Sequence, residues 1–268
     1  MRQFIVQNSN CKNGIITLIG KDYRYLHQVL RVKPGDMLSV RFEDGTLNNT
    51  TVCSVDENAK KIVLQVCELS GQSVTRGVQA QEVENHFSNM EYWLFQYIAK
   101  PSKMELIIRQ AVECGVKYIV PIAGEFSQKQ NIDAMEGSKK ERFERIIREA
   151  RQQSGSPVAT EILPVVTTDQ ACDLWKNQQD ARGIVLYERN KDTQSLHSVF
   201  ADSSIKKAAV VVGSEGGISP SEIELLSAGN FVPVHFDVNI LRCETASLYG
   251  MAAVQSALLE NTIWQLKE

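Results

Sequence analysis

Two rhythms of apolar residues divide the chain. Up to about residue 70 the apolar runs have strand length: Phe4-Ile5-Val6, Ile15 to Ile19, Met37 to Phe42, Thr50 to Val55 and Ile62 to Cys67. Turn-forming residues separate them, at Lys33-Pro34-Gly35-Asp36, Glu43-Asp44-Gly45-Thr46 and Asp56-Glu57-Asn58-Ala59. One helical piece, Asp22 to Leu30, interrupts them, and the spacing predicts a small β-barrel over residues 1–70. Arg24, His27, Arg31, Lys33 and Arg41 form a candidate basic face there, with a solvated surface as the alternative reading. Residues 71–90 are polar and without period, and read as a linker.

From Glu91 the rhythm becomes strand, helix, strand. Glu91 to Ala99 is an apolar run. Ser102 and Glu105 make a capping box, and Met104, Ile107, Ile108, Ala111 and Val112 follow at helical spacing until Gly115. Tyr118 to Ile122 is the next strand, so residues 91–268 predict an α/β domain with a mostly parallel sheet. After a long polar loop, Ala123 to Gly137, Ser138 and Glu141 cap a helix with Phe143, Ile146, Ile147 and Ala150 on one face. Lys139, Lys140, Arg142, Arg145, Arg148 and Arg151 lie on the other, against Glu141, Glu144 and Glu149. That excess either faces solvent or contacts phosphates. Thr167 and Gln170 start a short helix through Trp175, Gly183 to Tyr187 is a strand, and Asn190 to Ser204 is a loop with one weak helical turn.

Two strand-to-helix corners follow. Ala208 to Val212 empties into Gly213-Ser214-Glu215-Gly216-Gly217, with Ser219, Pro220 and Glu222 marking the next helix start. Phe231 to His235 leads into Ile240-Leu241-Arg242-Cys243-Glu244-Thr245-Ala246, which opens the last helix. Loops at the carboxyl ends of parallel strands are where such sheets bind ligands. The glycine turn is neither a phosphate-binding P-loop nor G-x-G-x-x-G. It is either a tight turn requiring positive φ or a backbone surface reading a purine edge. Ile240 and Leu241 offer apolar surface for a base. Arg242, Glu244 and Thr245 add polar groups, and Arg242 and Glu244 pairing with each other is the bland alternative.

Composition narrows the rest. Hydrophobic residues at 43% and charged ones at 23% fit a globular protein, and a net charge of −3 leaves nucleic-acid binding to local patches. The six cysteines lack C-x-x-C spacing and the four histidines lack metal-ligand spacing, so reduced thiols and no metal are expected. No signal peptide or membrane-spanning run is read, which makes a cytoplasmic location the expectation.

The paired corners resemble the cofactor signature of the SPOUT methyltransferases, specifically the RsmE family. His27-Gln28-Val29-Leu30-Arg31 with Gly35-Asp36 is similar to that family's N-terminal PUA-like β-barrel. Lys103-Met104-Glu105, Glu113-Cys114-Gly115-Val116 and Pro121 resemble its first βαβ unit, and Glu149-Ala150 with Gln153-Ser154 its basic helix. The resemblance implies a PUA-like barrel at 1–70 and, at 91–268, a SPOUT domain with a deep trefoil knot. It also implies a homodimer with its active sites near the subunit interface. The implied activity is S-adenosyl-L-methionine-dependent methylation of N3 of a uridine in small-subunit (16S) ribosomal RNA. Leu186, Val212, Gly213, Glu215, Gly216, Gly217, Ile240, Leu241, Thr245 and Ala246 would hold the cofactor. Arg242 would stabilise the uracil anion, with Glu244 orienting it or assisting proton removal. Arg24, His27, Arg31, Arg145, Arg148 and Arg151 would contact RNA in the small ribosomal subunit. This chain departs from the pattern at Ser214, at Asp237, at Ser156-Pro157 and at Glu125-Phe126-Ser127, where arginines are missing from the last two. A non-catalytic ribosome-assembly factor is the alternative, with an ordinary doubly wound nucleotide-binding enzyme third.

Overall fold

A computed structural model describes residues 4–43, 45–67, 89–137, 139–189, 193–202 and 204–260. The Ser138 cap and all but the last two residues of the expected linker lie outside them. The chain divides into two compact units, Met1–Glu84 with Arg151–Ala159 and Asn85–Ala150 with Thr160–Glu268.

The first unit is built on a six-stranded sheet. Its strands are β1 (Phe4–Val6), β2 (Cys11–Lys12), β3 (Ile15–Ile19), β4 (Met37–Phe42), β5 (Leu47–Asp56) and β6 (Lys61–Val66), in the spatial order β1-β4-β5-β6-β3-β2. Only the β1–β4 pair is parallel. Period-two alternation selects the core: in β3, Ile16 and Leu18 are buried while Ile15 and Ile19 face out. Helix α1 (Gly20–Arg24) continues through the wider turns of Tyr25–Leu30 and places Tyr23 and Leu26 on that core. Arg31, at φ 53°, ends it. Arg24, Arg31 and Lys33 are exposed and His27 is half-buried, stacked on Tyr23 with centroids 5.2 Å apart and 3.4 Å from Glu57. Arg41 departs from the expected face. It is buried, with its guanidinium on the Gly45 carbonyl across the β4–β5 turn.

The second unit is a parallel sheet covered on both faces. Its strands are β7 (Glu91–Tyr97), β8 (Val116–Ile122), β9 (Glu161–Ile162), β10 (Ala181–Leu186), β11 (Lys207–Val212) and β12 (Phe231–Val234), in the order β12-β10-β11-β7-β8-β9. Every pairing is parallel. The helices are α2 (Pro101–Glu113), α3 (Lys129–Glu136), α4 (Lys140–Ser154), α5 (Thr168–Lys176), α6 (Leu196–Val199), α7 (Pro220–Ala228) and α8 (Cys243–Glu260). Alternate residues of each central strand feed two cores, as expected of strands buried on both sides. Leu94, Val210 and Val212 meet α2 and α8 through Ile107, Ile108, Met251 and Val254. Trp93, Phe95, Ala209 and Val211 meet α5 and α7 through Trp175 and Leu226. Trp175 and Phe231 stack at 5.7 Å, with Phe95 set edge-on at 5.8 Å and 5.1 Å.

Two local expectations need correction or completion. The Ser102–Glu105 box does not form: Pro101, whose ring fixes a helical φ, occupies the first helical position, so Lys100 is the cap residue and Ser102 lies inside α2. Glu105 instead takes Arg142 of α4. The loop from Ala123 to Gly137 contains α3, which buries Asn131 and Met135. The boxes at Thr167–Gln170 and Ser219–Glu222 form as expected.

Packing over Gly183 leaves no space for a side chain: a Cβ there would sit 2.6 Å from both the Phe231 ring and Trp175 Nε1. Gly183→Ala should cost about 1–3 kcal/mol through displacement of the stacked rings. Urea unfolding would show it as a lowered midpoint at constant m-value; an unchanged midpoint would mean that the stack yields freely.

Candidate functional site

One buried side chain ties the two corners to the middle of the sheet. Gln96 stands at the carboxyl end of β7, in register with Val212 of β11, and is fully buried. Its Nε2 reaches the carbonyls of Tyr97 at 2.9 Å, Gly213 at 3.1 Å and Val212 at 3.3 Å. Ser247 Oγ lies 2.6 Å from Gln96 Oε1 and 2.8 Å from the Cys243 carbonyl, so its hydroxyl joins the amide to the first turn of α8. A buried amide is tolerated only when its donors and acceptor are met, and here they meet the two loops in question.

The glycine turn has the geometry of the first reading above, a tight turn with positive φ. Gly217 has φ +79°, and its amide bonds the Ser214 carbonyl at 3.1 Å to close the turn. Gly213 and Gly216 serve close approach: a Cβ on the first would lie 2.8 Å from Gly217 C, and on the second 2.8 Å from Phe126 Cβ. Gly250 does the same for α8, where a Cβ would press on Leu186 and Val210 at 2.8 Å and 3.0 Å.

Between the corners, at the carboxyl ends of β10, β11 and β12, lies a cleft open to solvent. Seven of the ten expected cofactor residues line it: Leu186, Val212, Gly213, Gly217, Ile240, Leu241 and Ala246. Glu215, Gly216 and Thr245 are not among its lining residues. Tyr187, Glu188, His235, Phe236 and Cys243 line it without having been singled out. The first four end or directly follow apolar strands that were recognised, so strand-end position alone was their signal.

Glu215 and Glu244 turn instead toward Lys103, in the first turn of α2. The ammonium is 3.1 Å from Glu244 Oε2, 3.8 Å from Glu215 Oε1 and 3.8 Å from Cys243 Sγ. The Cys243 thiol donates to Glu244 Oε2 at 3.3 Å, and the Lys100 amide donates to Glu215 at 3.1 Å. Desolvation works to raise the Glu244 pKa, but hydrogen bonds from its own backbone, Lys103 and Cys243 outweigh it and hold the carboxyl below its usual range. For Lys103 desolvation is likewise outweighed, by Glu244, Cys243 and Glu215, and the ammonium stays above its ordinary value. The Arg242–Glu244 pair allowed by the sequence is not formed. Arg242 is exposed, with no hydrogen bond or ion pair of its side chain among the described residues.

The cationic helix face is divided. Arg142 is spent on Glu105, Arg145 is exposed and 3.9 Å from Glu149, Arg148 is half-buried, and Arg151 is buried.

Two outcomes follow from this chemistry. Gln96→Leu keeps much of the volume but takes the donor from the Val212 and Gly213 carbonyls, and should cost about 1–3 kcal/mol in thermal unfolding. An unaltered melting temperature would show that the loop holds itself. Burial, aided by Glu244 at Cys243 and by Asp169 at Cys172, pushes both thiols up to about 11 from 9.0. Above pH 9 the unfolded chain therefore loses protons that the folded chain keeps, and stability falls as pH rises from 9 through 11. Urea midpoints across that range should drop, less steeply in Cys243→Ser; a flat profile would show that these thiols ionise freely in the fold.

Comparison with known proteins places this geometry. The sequence pattern of the RNA methyltransferase domain matches residues 86–255. Ribosomal RNA small subunit methyltransferase E 2 of Borreliella burgdorferi is 30% identical over 96% of this chain and 98% of its own length. Ribosomal RNA small subunit methyltransferase E of Bacillus subtilis is 25% identical over 89% and 88%. The crystal structure of the Neisseria gonorrhoeae ribosomal RNA small subunit methyltransferase E, bound to S-adenosyl methionine, shares the fold at a TM-score of 0.74, with 22% identity over 96% of this chain and 97% of that one. The chain therefore belongs to the RNA methyltransferase family and, within it, to the small subunit methyltransferase E (RsmE) group that its two corners resemble.

Proposed function

We propose that the protein transfers a methyl group from S-adenosyl-L-methionine to N3 of a uridine in 16S ribosomal RNA. The observation that carries this reading is the cleft at the carboxyl ends of β10–β12, bounded by a glycine turn on one side and the head of α8 on the other. The residues fit an adenosine-bearing cofactor. Gly213 and Gly217 leave the backbone bare, and Leu186, Val212, Leu241 and Ala246 supply apolar walls. Glu215 acts from outside the lining, through Lys103. When bound, the cofactor supplies an electrophilic methyl on a sulfonium whose departure needs no general acid.

The protein's task is then on the uracil side, where N3 carries a proton at neutral pH. Arg242, exposed at the head of α8 and unpaired among the described residues, is positioned to stabilise charge developing on the uracil oxygens. Glu244 is held toward its ionised form by its own backbone amide, Lys103 and Cys243. A carboxyl held below its ordinary range is a weak base, so it orients the site more than it removes the proton. The high pKa of the Cys243 thiol argues against a covalent cysteine adduct. The exposed Arg24, Arg31 and Arg145, with His27 and Arg148, are candidates for phosphate contacts. Arg151, being buried, would act only by supporting them.

The same reading includes a PUA-like barrel over residues 1–70, a knotted SPOUT domain over 91–268, and a homodimer. Helix α8 carries apolar residues on every side, with Leu248 and Tyr249 exposed, and Ile240 just ahead of it is 90% exposed, which supports a partner copy on that face. No helix among the described residues is long and apolar enough to cross a membrane, which accords with a ribosomal substrate in the cytoplasm.

Gly217→Val, forced to positive φ at the cleft, should abolish S-adenosyl-L-methionine binding by calorimetry while the protein stays folded. Arg242→Ala should lower methyl transfer to small ribosomal subunits by about 10²- to 10³-fold at nearly unchanged cofactor affinity. Product mapping by mass spectrometry decides the site: 3-methyluridine supports the reading, and cofactor binding without any transfer to the subunit defeats it.

A further inference from the structure

Phe126 stands out among the exposed apolar residues because its surroundings are rigid. The residue is 47% exposed, yet it is seated on the cofactor-loop residue Gly216, where a Cβ would come within 2.8 Å of Phe126 Cβ and 3.1 Å of its Cγ. The short segment that carries it is braced on both sides of Phe126. The Gly124 amide bonds Ser127 Oγ at 3.1 Å, the Glu125 amide bonds Glu222 Oε1 at 3.0 Å, and the Ser127 amide returns to the Gly124 carbonyl at 3.0 Å. Gly124 itself is wedged, since a Cβ there would sit 2.3 Å from the Tyr97 ring. Glu222, buried, also takes Thr168 and the Ser219 amide, so the brace is anchored in the core.

An aromatic side chain half in water, packed on the loop that lines the cofactor cleft through Ser214 and Gly217, has the chemistry of a stacking surface. Unstacked RNA bases are received on such rings, whose flat apolar faces match any base and carry no charge for a phosphate. We infer that Phe126 is the platform on which the target base stacks once it leaves the RNA, beside the methyl donor. The inference rests on the proposed RNA methyltransferase function and adds to it a residue that positions the substrate. Catalytic charge stabilisation stays with Arg242.

Four variants separate stacking from packing: Phe126→Ala, Phe126→Leu, Phe126→Tyr and Phe126→Trp. With small ribosomal subunits as substrate, Phe126→Ala and Phe126→Leu should both raise KM or lower kcat/KM by about 5- to 150-fold, the loss expected for one base–aromatic stack. Their S-adenosyl-L-methionine affinity should stay within about twofold of the parent in calorimetry, since the ring is not a lining residue of the cleft. Phe126→Tyr and Phe126→Trp should restore most of the activity. Recovery by Phe126→Leu, or an unaffected Phe126→Ala, would overturn the inference, because leucine fills space without offering a π face. Fluorescence of Phe126→Trp, read against the parent protein, gives an answer independent of turnover. Added uridine-rich single-stranded RNA should quench the new indole. Quenching without methyl transfer in the parent would keep the platform and reject the proposed reaction, whereas absence of quenching would reject the platform.

Discussion

A single primary amide carries the geometry of the cleft. Gln96 sits on the central strand β7 and holds the carbonyls of Val212 and Gly213 on one side and, through Ser247, the first turn of α8 on the other. Those partners come more than a hundred residues later in the chain. A glutamine with its donors and acceptor engaged is stable in the core, and the same amide left partly unmet would be a liability. Both walls of the site are thus referenced to one strand, and their separation is set by an amide's fixed dimensions.

The sheet order explains why those walls are neighbours. The chain begins the parallel sheet at its middle, extends it through β8 and β9, and then returns to the other side for β10, β11 and β12. Three carboxyl ends, at Leu186, Val212 and Val234, come to lie side by side. Helix α2, which follows β7, places Lys103 against the heads of both loops, so an ammonium reinforces outside the core what Gln96 does within it. Such partly exposed ion pairs contribute modestly to stability, and the value of this one is geometric.

Much of this was legible in the residues. The strands are alternating or continuous apolar runs, and Thr167–Gln170 and Ser219–Glu222 announce helix starts by local chemistry that tertiary packing had no cause to override. The glycine turn was visible because its function needs missing side chains. What was not legible depends on partners distant in sequence. Gln96 is only one position in the apolar run from Glu91 to Ala99, and Lys103 only the start of Lys103-Met104-Glu105, until β11 and α8 are brought to them. Glu105 looked like a capping residue because the motif is local, whereas its partner Arg142 is 37 positions away. Arg41 and Arg151 read as surface cations because charge does not reveal burial.

One wall of the cleft is made from the course of the main chain. Its tight turn, its bare glycines and its strand ends present amides and carbonyls, groups that every residue type possesses. Substitution can therefore sweep through the surrounding side chains without erasing the ability to hold a ligand, provided that the turn keeps its shape. Divergence should concentrate where side chains meet the RNA, the role inferred for Phe126. In such a protein the memory of the cofactor resides in the path of the backbone, and the record of the substrate in what hangs from it.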